Sequence, residues 1–229
     1  MLGISKFVSS ASTLILGTIA AQLIAFLFSF VLTRLYTAAE YGHFSFFMAC
    51  GTVLVALGTG SYEKVILLSK SDREAQAARY IVALISISVA VIILIFGLLL
   101  GGLGVFDGTE LKPLDLMLLP AFVVFFAANH IFNYSNLREG RMTRIAVFKA
   151  SQSLMTGLVQ TLLSSLKVMP GLIVGYICGL LPVAIACVLS AMRVGRDWIS
   201  LRVLLVTVRR NYRYPRYIMP NEMVDTFSN

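Results

Sequence analysis

Ile81–Leu100 reads IVALISISVAVIILIFGLLL, twenty residues interrupted only by two serines and a glycine. About 20 apolar residues wound as an α-helix cross a hydrocarbon core of about 30 Å. Inside a bilayer each backbone amide must bond within its own element, so a run of this kind is a helix. A barrel strand would alternate with a period of two, and this run does not. Working outward, five further runs of similar length occupy residues 11–33, 43–61, 114–134, 146–166 and 171–192, and the quoted run extends over 80–104. A hydrophobic fraction of 58%, a charged fraction of 13% and a mean hydropathy of +0.86 exclude a soluble domain of this length. The predicted fold is therefore all-α, a polytopic transmembrane bundle of about six helices over residues 1–192.

The charges orient it. Lys6 precedes the first run; Lys64, Lys70, Arg73 and Arg79 lie between the second and third; Arg138, Arg141, Arg144 and Lys149 lie between the fourth and fifth. Arg193, Arg196, Arg202, Arg209, Arg210, Arg213 and Arg216 follow the sixth, which leaves only Arg34, Lys112 and Lys167 for the opposite side. Cationic loops stay in the cytoplasm during insertion, so both chain ends are expected there. The formal charge of +8 then reports topology and contact with anionic lipid headgroups, not nucleic acid. The first run continues to Leu32, far beyond the length of a signal-peptide core, and reads as a retained helix. Cys50, Cys178 and Cys187 are odd in number and lack metal-ligand spacing, so neither disulfides nor a metal site is expected.

Between the runs, Tyr36–Gly42 reads as a short external connection holding Glu40, and Gly101–Pro113 as an external loop with Asp107, Glu110 and Lys112. Asp72 and Glu74 before an alanine-rich stretch mark a helix start with acids in its first turn. Gln152, Thr156, Gln160 and Ser164 recur every four residues along the fifth run, and Gln22 belongs to a weaker polar series on the first. Such stripes face protein or water, so a wet cavity and plain helix packing both remain open. Residues 193–216 form a basic amphipathic segment expected to lie on the cytoplasmic surface, and residues 217–229 read as the start of a further helix.

No catalytic constellation emerges. His43 and His130 fall near opposite membrane sides, and Asp107, Glu110 and Asp115 have no phosphate loop, HExxH or GxSxG beside them. Binding or transport is favoured over an enzyme, with no cofactor. Arg34, on the cation-poor side, is either a snorkelling arginine or a cation facing a cavity for an anionic substrate. Glu63 is either an ion-pair partner of the surface or an ion-coupling carboxylate. Arg138 and Arg141 either fix topology or gather a pyrophosphate headgroup from the inner leaflet.

The stretch RLYTAAEYGHFSFFMACGTVLVALGTGSYEKVILLSKSDREA (Arg34–Ala75) resembles the early region of the polysaccharide-transporter branch of the multidrug/oligosaccharidyl-lipid/polysaccharide exporters, which includes the O-antigen flippases. NLREGRMTRIAVFKASQSLMTGLVQTLL (Asn136–Leu163) is similar to that family's link into its fifth helix. The resemblance implies a bacterial inner-membrane protein that moves undecaprenyl-pyrophosphate-linked oligosaccharide outward for O-antigen and surface-polysaccharide assembly. Such exporters pair two six-helix lobes, and this chain corresponds to the N-terminal lobe alone. The implied mechanism captures pyrophosphate at Arg34, Arg138 and Arg141 and passes sugars along Gln22, Gln152, Thr156 and Gln160, with Glu63 as the coupling group. A second lobe is expected from another chain or a homo-oligomer. The alternatives are a non-transporting fragment or scaffold subunit, and a membrane enzyme of polysaccharide assembly.

Overall fold

A computed structural model describes residues 2–102, 113–168, 170–193, 201–221 and 224. They form eight α-helices: α1 (Leu2–Leu35), α2 (Ala38–Thr59), α3 (Glu63–Leu68), α4 (Asp72–Gly102), α5 (Pro113–Arg138), α6 (Met142–Ser165), α7 (Gly171–Arg193) and α8 (Leu201–Arg210). A short π-type stretch, Tyr214–Ile218, follows. The all-helical expectation holds. Asp107, Glu110 and Lys112 lie outside the described residues, as do Arg196 and Trp198.

Sequence signals explain three of the helix ends. Thr37 accepts a hydrogen bond from the Glu40 amide while the Glu40 carboxylate accepts from the Thr37 amide, a reciprocal cap that starts α2 at Ala38. The connection expected over Tyr36–Gly42 thus shrinks to Tyr36 and Thr37, with Glu40 inside the helix. Gly60 in the left-handed region (φ 56°) ends α2. Ser71 Oγ accepts from the Glu74 amide at 3.2 Å, so α4 begins at Asp72 with both acids in its first turn, as expected.

Close contacts fix the helix directions. Gly17 lies against Ala146, Phe28 against Gly157, and Leu35 against Ser164; in each pair the partners are 129 residues apart. Helices α1 and α6 therefore run parallel and in register. Gly171, Gly175 and Gly179 of α7 face Leu163, Gln160 and Thr156 of α6 in descending order, so that pair is antiparallel. Phe122 meets Tyr176, and Phe132 packs with Val183 and Ala186, which makes α5 and α7 parallel. Gly97 meets Leu116 while Val82 packs with Ala127 and Ile131, which makes α4 and α5 antiparallel. His43 meets Asp115 and Phe47 meets Phe122, so α2 follows α5. Three helices (α1, α4, α6) thus run one way and three (α2, α5, α7) the other.

Helices α1, α2, α4, α5 and α7 are long and apolar enough to cross a membrane, so the chain is a multi-pass membrane protein. The sixth expected crossing, α6, falls short in composition because Arg144, Lys149 and its polar stripe dilute it. Its 24 residues still extend about 36 Å at 1.5 Å per residue. Lying in register beside α1, it covers the same depth.

The core sits around α5. Phe47 and Val55 of α2, Leu119 and Phe122 of α5, and Ile173 and Leu180 of α7 form one buried cluster. Val65 and Ile66 of α3, Ile81 and Val82 of α4, and Ile131 of α5 form a second nearer the chain's arginine-rich face. By contrast only Ala21 and Leu32 of α1 are buried among its described side chains, and Leu16, Phe26, Leu27 and Phe30 are more than half exposed. In lipid those side chains meet their solvent and need no protein cover.

Candidate functional site

The directions gather Arg73, Arg79, Arg138, Arg141 and Arg144 at one end. The α4 start, α5 end and α6 start meet there, and α8 packs onto α4. Much of this charge is already engaged. Arg138 Nη1 donates to the Ser69 carbonyl at 2.5 Å and the Ile66 carbonyl at 3.3 Å, and Nη2 lies 3.0 Å from Asp72 Oδ1. It caps the last carbonyls of α3 and ties α5 to α4. Arg144 lies over the rings of Phe132 and Phe148, at 5.3 and 6.0 Å. Arg141 is exposed and 3.1 Å from Glu139.

Along the fifth expected span, the polar stripe divides between two neighbours. Gln160 is buried and donates from Nε2 to the Leu172 carbonyl at 2.9 Å, while its own carbonyl accepts from the Tyr36 hydroxyl at 2.7 Å. Burial, with the charge of Glu40 and the Tyr41 phenol adding to it, raises the Tyr36 phenol above its usual range and keeps it a donor. Thr156 fills the space left by Gly179. These two residues therefore form the α6–α7 seam, in which small residues let backbones approach closely. Gln152 turns the other way: its Oε1 accepts from Asn129 Nδ2 of α5 at 3.0 Å, and Asn129 Oδ1 accepts from Asn133. His130 stacks on Tyr134 one step around α5, and all five side chains are half-buried. Three half-buried carboxamides thus line the groove between α5 and α6, and the aromatic pair lies beside them on α5, with Tyr134 packed against the α3–α4 cluster. Asn129, Asn133 and Tyr134 were not among the expected site residues; their i, i+4 spacing was in the sequence, but not their partner helix.

The remaining expected residues stand apart. Arg34 and Gln22 are exposed on α1. At 100° per residue they lie about 120° apart around the helix, and Arg34 is turned about 140° from Ala21 on the α6-facing stripe. Glu63 opens α3 and is 3% exposed, next to the buried Thr59 and Ser61 at the break between α2 and α3. Gly60 and Ser61 both have positive φ there, 56° and 57°. The structure brings Gln152, Thr156 and Gln160 onto one helix, but does not join them to Arg34, Gln22, Arg138 or Arg141 in a single cavity.

At the opposite end of the bundle, His43 Nε2 and Asp115 Oδ2 are 2.6 Å apart, with Asp115 fully buried and His43 12% exposed. They were expected separately, His43 at an interface and Asp115 among surface acids. The fold pairs them across 72 residues.

No protein-family profile, curated protein or solved structure matches the chain.

Proposed function

We propose that this chain is one lobe of an exporter that carries lipid-linked oligosaccharide across a bacterial cytoplasmic membrane, its arginine-rich face in the cytoplasm. The α5–α6 groove carries the reading. Carboxamides at Asn129, Asn133 and Gln152 both donate and accept, as sugar hydroxyls do. The His130–Tyr134 pair offers a flat platform beside them. Half-buried amides at mid-bundle are costly in lipid unless they face protein, water or a polar cargo.

In this reading the groove passes sugars while the polyprenyl tail stays in the bilayer, because exposing it to water costs about 0.8 kcal/mol per CH₂. A second lobe, from another chain or a second copy, supplies the facing wall. Arg34, exposed at the cation-poor end, is a release-side contact for pyrophosphate. Glu63 at the α2–α3 break is the coupling group, since irregular backbone beside a buried carboxylate suits a cation or proton. Arg138 serves the fold and not the cargo. No step needs a reactive nucleophile, so the chain is not assigned an enzymatic reaction.

Deleting the gene in its own host and measuring surface polysaccharide tests this. The expected result is loss of the polymer with its lipid-linked repeat retained on the inner leaflet, restored by the intact chain but not by an Asn129→Leu/Gln152→Leu double variant of equal abundance. Unchanged surface polysaccharide after deletion overturns the proposal.

A further inference from the structure

Between the first turn of α4 and the flank of α8 lies a cavity of about 260 Å³. Arg73 enters it from α4, and Arg202 and Arg210 from α8; all three are exposed. Val203 and Val206 line its other wall. On α8 the positions 203, 206, 207 and 210 are spaced i, i+3, i+4, i+7, so one stripe of the helix builds that side. Thr207, at the centre of the stripe, is buried where α8 packs onto α4. One carboxylate also lines the cavity, that of Glu74. It accepts from Asn211 Nδ2 at 3.2 Å and lies 3.9 Å from Arg210 Nη1, which holds α8 in place. Three guanidinium groups against one engaged carboxylate leave the cavity with an excess of two positive charges.

We propose that this cavity binds the phosphodiester headgroup of an anionic phospholipid. The inference is independent of any cargo and needs only the membrane placement of α8. That helix exposes Leu205, Val206 and Val208 alongside Arg202 and Arg209, the pattern of a helix lying in the headgroup layer. Guanidinium forks match phosphate oxygens in two-point contact. The two valines sit where the glycerol backbone and first methylenes of such a lipid would follow. A soluble phosphate would use the arginines and leave the apolar wall unfilled, which favours the lipid source. Basic pockets beside membrane helices commonly take anionic headgroups on the positively charged side. The bound lipid bridges α4 and α8 and fixes the amphipathic helix against the bundle.

Native mass spectrometry of the full detergent-purified chain, offered phosphatidylglycerol or phosphatidylcholine, tests the assignment. The wild type should retain phosphatidylglycerol in preference to phosphatidylcholine. An Arg73→Gln/Arg202→Gln double variant should lose about ten-fold in that retention, roughly 1.4 kcal/mol for the two guanidinium groups together. Arg209→Gln/Arg213→Gln, which also removes two exposed charges but lies outside the cavity, should bind as the wild type does. Equal losses in the two double variants would show diffuse attraction and overturn the site. Equal retention of both lipids would do the same. Displacement of the lipid by millimolar inorganic phosphate would assign the cavity to a soluble anion and overturn the lipid assignment.

Discussion

Replacing Gly175 by alanine should destabilise the bundle, whereas the same change at Gly42 should not. A Cβ at Gly175 would stand 2.9 Å from the Gln160 backbone nitrogen and 3.1 Å from its Cα. Ordinary carbon contacts need about 3.5–4.0 Å, so α6 and α7 must separate by roughly half an ångström or more. Backbone atoms cannot rotate away as a side-chain tip would. Overpacking of this kind costs about 1–3 kcal/mol, and the separation also stretches the 2.9 Å bond from Gln160 to the Leu172 carbonyl. Alanine in place of glycine inside a helix recovers about 0.8–1.0 kcal/mol. The net loss at Gly175 is about 1–2 kcal/mol. At Gly42, an added Cβ meets nothing within 4 Å, so only the propensity gain remains and the variant should be slightly stabilised. For a chain of this size 1 kcal/mol moves a melting midpoint by about 2–4 °C, which puts the two variants roughly 4–12 °C apart. Heating detergent-solubilised protein and measuring the monodisperse fraction left at each temperature reads the difference. If Gly175→Ala melts with or above Gly42→Ala, the two helices are not packed as described.

Arg138→Gln should lower thermal stability by about 1–3 kcal/mol, the worth of charge-assisted bonds to otherwise open carbonyls, while Arg141→Gln, an exposed neighbour, should be nearly neutral; the same heating assay compares them. Asp115→Leu leaves His43 without its buried hydrogen-bond partner and should cost about 1–3 kcal/mol, whereas a His43→Leu/Asp115→Leu double variant should recover much of that loss. A double variant as unstable as the single one would count against the pair. Cysteines placed singly at Glu40 and Glu139 should react with a membrane-impermeant maleimide from opposite sides, and labelling of both from one side would refute the helix directions.

What the sequence made legible followed from single-helix physics. Apolar length located the crossing helices, and Asp72 with Glu74 marked the α4 start because caps and helix dipoles act within one turn. The α2 start was equally local, in the Thr37-x-x-Glu40 box, yet Tyr36–Gly42 read as a loop because its glycine and polar residues outweighed the cap. The polar stripe of α6 was visible but its meaning was not. Periodicity says that Gln160 and Thr156 share a face, and only the glycine ladder of α7 decides that the face is a seam. Likewise a positive-charge count treats Arg138 and Arg141 alike. Their roles separate only when α5 brings Arg138 beside the α3 carbonyls. His43 with Asp115, and Asn129 with Gln152, join residues on different helices, and no local pattern encodes such a meeting.

The seam and the groove are mechanically one object. Helix α1 rests chiefly on α6, and α6 is held to the core chiefly through α7, with few direct contacts to α5. The distance across the Asn129–Gln152 bond is therefore set by how closely Gly175 and Gly179 admit Gln160 and Thr156. Small-residue ladders let backbones approach closely but offer few interlocking side chains against sliding, unlike the Phe47–Phe122–Ile173 core on the other flank of α5. A displacement of the α1–α6 leaf over the α7 glycines would open the carboxamide groove while leaving α2, α4, α5 and α7 packed. Widening the seam at Gly175 should then loosen the Asn129–Gln152 contact without disturbing the His43–Asp115 pair. Pulse hydrogen exchange that found both ends of the bundle loosened equally would place the compliance elsewhere.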